Sequence, residues 1–175
     1  MTLNYSDEVK RLAHEILMEA GKPYTEEQMK EIPRILNVKA RYFWGNDLND
    51  YDVLRDVFTE EGEHGFRTFW NGNPGSASIE AQIGSVKFTI GQGDMVPMHF
   101  GHNQIVRFID DTHAQLLTRM NDYHTYTDNG ENYSGFGMYV DDLLKCKDGV
   151  WRIETLRLDY GVLINSLRCM RKKEN

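Results

Sequence analysis

The chain has 175 residues and a mass of 20.4 kDa, the size of one domain. With 40% apolar and 11% aromatic residues it can build a sizeable core, which excludes a disordered chain. Twenty-seven acidic residues against twenty basic ones give a net charge of −7 and a pI near 5.3, a balance that repels a nucleic-acid backbone. The one basic cluster, Arg168 to Lys173, reads as a solvated tail.

The first third of the sequence reads as helix. Ser6 can cap a helix carrying Val9, Leu12, Ile16 and Leu17 at helical spacing and ending near Gly21. Thr25-Glu-Glu-Gln28 has the capping-box pattern, and Met29, Ile32, Ile35, Leu36, Val38, Tyr42 and Phe43 follow it as a helical stripe. Pro33 lies beyond the first turn, so a kink or a break is expected there. Asn49 or Asp50 can cap a short third helix carrying Tyr51, Leu54, Val57 and Phe58.

From Gly65 the pattern changes. His64 to Trp70 is aromatic and reads as extended, and Asn71-Gly-Asn-Pro-Gly75 is a dense turn signal. Ser76 to Ile90 is ambiguous: Ile79, Ile83, Val86 and Ile90 fit a helix, whereas Gly84 and the β-branched content weaken it. Strands are expected over 98–109, 112–126 and 135–147, with Asp148-Gly149 as a hairpin turn into a fourth over 150–160. Helices followed by hairpin-linked strands predict an α+β fold with the helices on one side of an antiparallel sheet.

Two cysteines, Cys146 and Cys169, make no disulfide framework and no CxxC pair. No apolar run approaches the roughly 20 residues that span a bilayer, and no signal peptide is visible, so a cytoplasmic location with no membrane partner is expected. There is no GxGxxG, Walker loop, GxSxG or HExxH, and therefore no pointer to a nucleotide, a flavin or a serine nucleophile.

The polar residues of interest lie in apolar surroundings. His99 and His102 sit in Met98-His-Phe-Gly-His-Asn103, where a spacing of three on a strand puts them on opposite faces and disfavours a shared metal. Ala114, Leu116, Thr118, Met120 and Asp122 share one face of an alternating run. Either that face lines the interior and Asp122 points into an apolar cavity, where a histidine across the sheet is its natural partner, or the strand has ended and Asp122 opens a polar loop with Tyr123 and His124. Tyr42 could present its hydroxyl over a cavity as a donor to an enolate oxygen, although core packing explains the Tyr42-Phe43-Trp44 stripe as simply. Asp47 could equally face water.

Four segments in this order resemble a known family. They are Ile35-Leu-x-x-Lys-Ala-Arg-Tyr-Phe-x(3)-Asp47, Tyr51-Asp-x-Leu-x(3)-Phe-Thr59, Met98-His-Phe-Gly-His-Asn103 and Lys147-Asp-Gly-Val-Trp-Arg-Ile153. Together they resemble the SnoaL-like branch of the nuclear transport factor 2 (NTF2)-like superfamily over about Ile32 to Tyr160, among its members the bile acid 7α-dehydratases and, more distantly, the scytalone dehydratases. The resemblance implies a cone-shaped α+β barrel, with N-terminal helices packed in a curved antiparallel sheet around a deep apolar pocket. It divides the chain into an N-terminal helical extension (1–30) and one SnoaL-like domain (31–175).

Carried over by motif, the resemblance implies a dyad of His99 and Asp122, with Tyr42 as a proton donor and Asp47 opposite. Phe66, His102, Arg157 and Tyr160 are then expected to contact substrate, Phe66 standing where the bile acid enzymes have a tyrosine and Tyr160 near their arginine. The implied activity is a cofactor-independent, metal-free elimination of water from a hydrophobic cyclic carbonyl compound, in a homo-oligomer, trimer or dimer. Ketosteroid-type isomerisation, polyketide cyclisation, a non-catalytic binder and the structural β-subunit of a ring-hydroxylating dioxygenase share the outline.

Overall fold

The computed structural model describes residues 5–93, 95–126 and 132–165. Helix α1 (Asp7–Glu19) starts at Ser6, whose hydroxyl accepts from the Val9 amide. Helix α2 (Glu26–Asp47) starts at the Thr25–Gln28 capping box and runs through Pro33 without a break. Pro33 is on the exposed side, while Ile35, Val38, Lys39, Tyr42, Phe43 and Asn46 bury one continuous face of the same helix. Packing of that face holds the helix together across the missing amide. Asp50 caps the short α3 (Tyr51–Asp56).

Strands β1 (Arg67–Trp70) and β2 (Asn73–Pro74) form a small hairpin. The ambiguous segment is helix α4 (Ile79–Thr89), capped by Ser78. Four long strands follow: β3 (Met95–Phe108), β4 (His113–Tyr126), β5 (Asn132–Lys145) and β6 (Trp151–Asn165). The sheet order is β2-β1-β6-β5-β4-β3, and the sheet is curved without closing. The basic tail and Cys169 lie outside the described residues; Cys146 is a free, buried thiol.

Two expectations need correction. The sheet is mixed: β1 runs parallel to β6, because only the hairpin-linked strands β3 to β6 are obliged to alternate direction. The helices also do not share one side. Helices α2, α3 and α4 fill the concave face, with Tyr42, Leu54, Phe58, Ile83, Leu116, Tyr139 and Trp151 in one core. Helix α1 lies outside, where Val9, Leu12, Ala13 and Ile16 cover Leu117 and Val140 on the other face of the sheet. An apolar stripe on a helix shows that a face is buried, but not which surface it meets. No helix among the described residues is long and apolar enough to cross a membrane.

Candidate active site

The alternation along β4 runs past Met120, so Asp122 and His124 both turn inward and are buried, Asp122 completely. Asp122 faces His99 directly across the β3–β4 ladder. The buried carboxylate is held by two donors: Oδ1 accepts from the Gly135 amide at 2.7 Å and Oδ2 from the Tyr160 hydroxyl at 2.6 Å. These bonds repay part of the cost of taking its charge out of water. Gly135 is required here, since a β-carbon at that position would run into Asp122 Oδ1 and the Tyr160 ring.

The carboxylate on the His99 ring, however, belongs to Asp47. Its Oδ1 lies 2.6 Å from Nδ1, and its Oδ2 accepts the His99 backbone amide at 3.1 Å. Asp47 is the last residue of α2, at the negative end of a helix with no basic residue in its last turn. A carboxylate there is unfavourable unless it finds a partner, and the imidazole supplies one. The expected pairing of His99 with Asp122 as ring holder is therefore replaced by His99 with Asp47, while Asp122 stays in the same cluster. A carboxylate accepts only, so a neutral His99 carries its proton on Nδ1 and leaves the Nε2 lone pair free.

Aromatic rings fix the imidazoles. Phe43 stacks parallel to His99 with centroids 5.9 Å apart, and Tyr133 stacks on His124 at 4.3 Å. The two imidazoles meet edge to face at 5.3 Å. His99, Asp122 and His124 present ligand atoms all within 4.8 Å of one another. Burial holds His124 down at about 4, against an opposing pull from the Asp122 charge, so its ring is neutral at neutral pH. Burial first, then the negative charge of Asp122, pushes the Tyr160 phenol up, and burial does the same to Tyr42. Both tyrosines are therefore hydrogen-bond donors at any physiological pH.

The remaining expected residues are placed as follows. Tyr42 is buried on the concave face against Phe58 and Tyr139. Phe66 is buried, its ring centroid 4.4 Å from that of Phe58. His102 is exposed, bonded to Asn121 Oδ1, on the strand face opposite His99. Arg157 is on the outer face too, where it pairs with Glu8 of α1 and with Asp142. Neither His102 nor Arg157 joins the cluster, because each is an odd number of residues from the inward-facing His99 or Tyr160. His124, two residues beyond Asp122 on the same inward face, and Tyr133, stacked on it, complete the cluster, and neither is among the expected site residues. A groove of about 440 Å³ between α2 and β3 reaches the pair, walled by Phe43, Trp44, Pro97, Met98 and Phe100 alongside Asp47 and His99. Its size and apolar walls suit a small hydrophobic molecule.

Residues 27–157 match the SnoaL-like domain model. The chain belongs to the SnoaL-like family. Proteins of curated function provide no match at a significant level. Among solved structures, a Novosphingobium aromaticivorans protein assigned as a scytalone dehydratase is 21% identical, with a TM-score of 0.72 over 81% of this chain and 91% of its own. Hexachlorocyclohexane dehydrochlorinase LinA-type3 from Novosphingobium barchaimii is 12% identical, with a TM-score of 0.69 over 79% and 92%. ActVI-ORFA from Streptomyces coelicolor is 12% identical, with a TM-score of 0.61 over 74% and 96%. At these identities the likeness is one of fold, and it agrees with the NTF2-like architecture expected from the sequence.

Proposed function

We propose that this SnoaL-like protein is a lyase that eliminates water from a hydrophobic cyclic compound carrying a carbonyl group and a β-hydroxyl. The observation that carries this reading is the double hold of Asp47 on His99, which fixes the ring, its tautomer and the strand that bears it. The dehydratase and dehydrochlorinase named above, both catalysts of elimination by name, add support at the level of fold.

In this reading His99 Nε2 takes the proton next to the carbonyl, and the C–H electron pair moves into an enolate. The family resemblance gives Tyr42 the part of hydrogen-bond donor to the enolate oxygen as its charge develops. The enolate then re-forms the carbonyl and expels the β-hydroxyl, which leaves as water with the proton returned by the His99 imidazolium. Protons balance within one imidazole. Asp47 and Asp122 stabilise the imidazolium while it lasts, the first by direct bonding and the second by its nearby charge. Steps of this kind contribute about 10²–10⁴-fold each.

The test uses a panel of cyclic β-hydroxyketones, with enone formation followed by ultraviolet absorbance and mass spectrometry. Wild type should form the enone, and His99→Gln should reduce turnover at least 100-fold with the thermal melt unchanged. A His99→Gln protein as active as wild type ends the proposal. Isomerised or cyclised products would transfer the same enolate chemistry to a different reaction class.

A further inference from the structure

We propose that His99, Asp122 and His124 form a binding site for one divalent transition-metal ion of the zinc type, and that the ion switches the elimination off. Metal binding stands on its own geometry; the inhibition rests on the reading of His99 as base.

His124 supplies the first reason. Its side chain is 4% exposed, and its Nδ1 is buried without a hydrogen-bond partner, 3.9 Å from Asp122 Oδ2. Buried polar atoms are almost always satisfied, so an orphaned imidazole nitrogen beside a carboxylate asks for an electrophile between them. The mechanism above gives His124 no task.

The surroundings supply the second. A metal-bound histidine almost always offers its other ring nitrogen to a carboxylate or carbonyl, and a ligating carboxylate is itself hydrogen-bonded. His99 already has Asp47 at Nδ1, which leaves Nε2 for the ion, and Asp122 is oriented by Gly135 and Tyr160. Phe43 and Tyr133 hold the two ring planes. These supports are in place before any ion arrives.

The donor set decides the kind of ion. Two imidazoles and one carboxylate suit zinc and its first-row neighbours, whereas calcium and magnesium take all-oxygen shells. The three ligands and Asp47 carry two negative charges, which balance a divalent cation. Bonds of about 2.0–2.1 Å in a tetrahedron need ligand atoms roughly 3.4 Å apart. From the present limit of 4.8 Å the widest pair closes by up to about 1.4 Å, within reach of small side-chain rotations. An ion on Nε2 occupies the lone pair that would take the substrate proton, so metal and turnover exclude each other.

The full chain, stripped with EDTA and desalted, would be titrated with ZnCl2 by calorimetry and with CoCl2 by visible absorbance. The expected result is one site per chain, with cobalt bands of a four- or five-coordinate nitrogen–oxygen shell. Binding should weaken by more than 100-fold in His124→Ala and by about 10–100-fold in Asp47→Asn, which touches the metal only through His99. His124→Gln serves if the alanine variant melts early. No binding at micromolar zinc, or binding unchanged in both His124 variants, overturns the site. Turnover that persists, or rises, at saturating zinc overturns the inhibition. Zinc binding by a protein that turns over no hydroxyketone leaves the site standing and removes the lyase reading instead.

Discussion

The ammonium of Lys39 lies 2.9 Å from Asp141 in the concave core, and neither side chain is exposed at all. The ammonium also sits 3.2 Å from the ring centroid of Tyr139 and 4.5 Å from that of Tyr42. A buried ion pair contributes little net stability, but losing one partner strands the other charge, typically at about 3–5 kcal/mol. Lys39→Met alone should therefore lower the urea midpoint sharply. The double variant Lys39→Met/Asp141→Leu should recover most of the loss. Equal destabilisation by single and double variants would show that the pair is not acting as a unit.

The same lysine gives stability a pH dependence. Burial lowers its ionisation to about 8 from the usual 10.5, despite the opposing attraction of Asp141. Between these values the unfolded chain binds the proton that the folded chain has released, so stability rises from pH 8 towards pH 10.5 and falls as pH drops back. Below about pH 8 the Lys39 contribution is constant. Urea midpoints at pH 8 and pH 10 should show this rise in wild type and lose it in Lys39→Met.

Asp47→Asn keeps the size of the side chain but can offer its amide N–H₂ to His99 Nδ1, which favours the tautomer with the proton on Nε2. That tautomer cannot act as a base toward substrate. Turnover should fall by about 10²–10⁴-fold. KM should change far less, because the apolar walls of the groove, Phe43, Trp44, Met98 and Phe100, are untouched. A fall confined to KM would mean that Asp47 binds substrate and does not orient the ring.

Gly135→Ala puts a methyl group against Asp122 and Tyr160. Overpacking of this kind costs about 1–3 kcal/mol and should separate the Tyr160 hydroxyl from the carboxylate it now meets at 2.6 Å. A lower melting temperature together with reduced turnover is expected. An unchanged melt would mean that the backbone at Gly135 shifts freely.

Much of this was legible in the residues. The caps at Ser6, Thr25 and Asp50, the Asp148-Gly149 turn and the inward face of β4 all follow from local chemistry, and local chemistry is what a sequence displays. Periodicity also put Tyr42 on a buried stripe, while it left open whether Asp122 turns inward or opens a polar loop. Which carboxylate takes His99 was not legible, because Asp47 and His99 meet through the docking of a helix end on a strand 52 residues away. The resemblance offered Asp122 in its place, the residue that stands directly across the ladder from His99. His102 and Arg157 were drawn in by motif position, against a parity that turns both outward. The placement of α1 outside the sheet and the parallel entry of β1 depend on three-dimensional closure, on which pattern is silent.

Strand β3 forms one border of the sheet, and a free border invites other chains to pair with it. The outward amide of His99 is taken by Asp47, and two residues earlier Pro97 has no amide to offer. An incoming strand thus finds two successive rungs missing where it would start to zip on. The acid that disciplines the imidazole also guards the rim, so a protein that loses it gives up protection against self-association along with its hold on the ring.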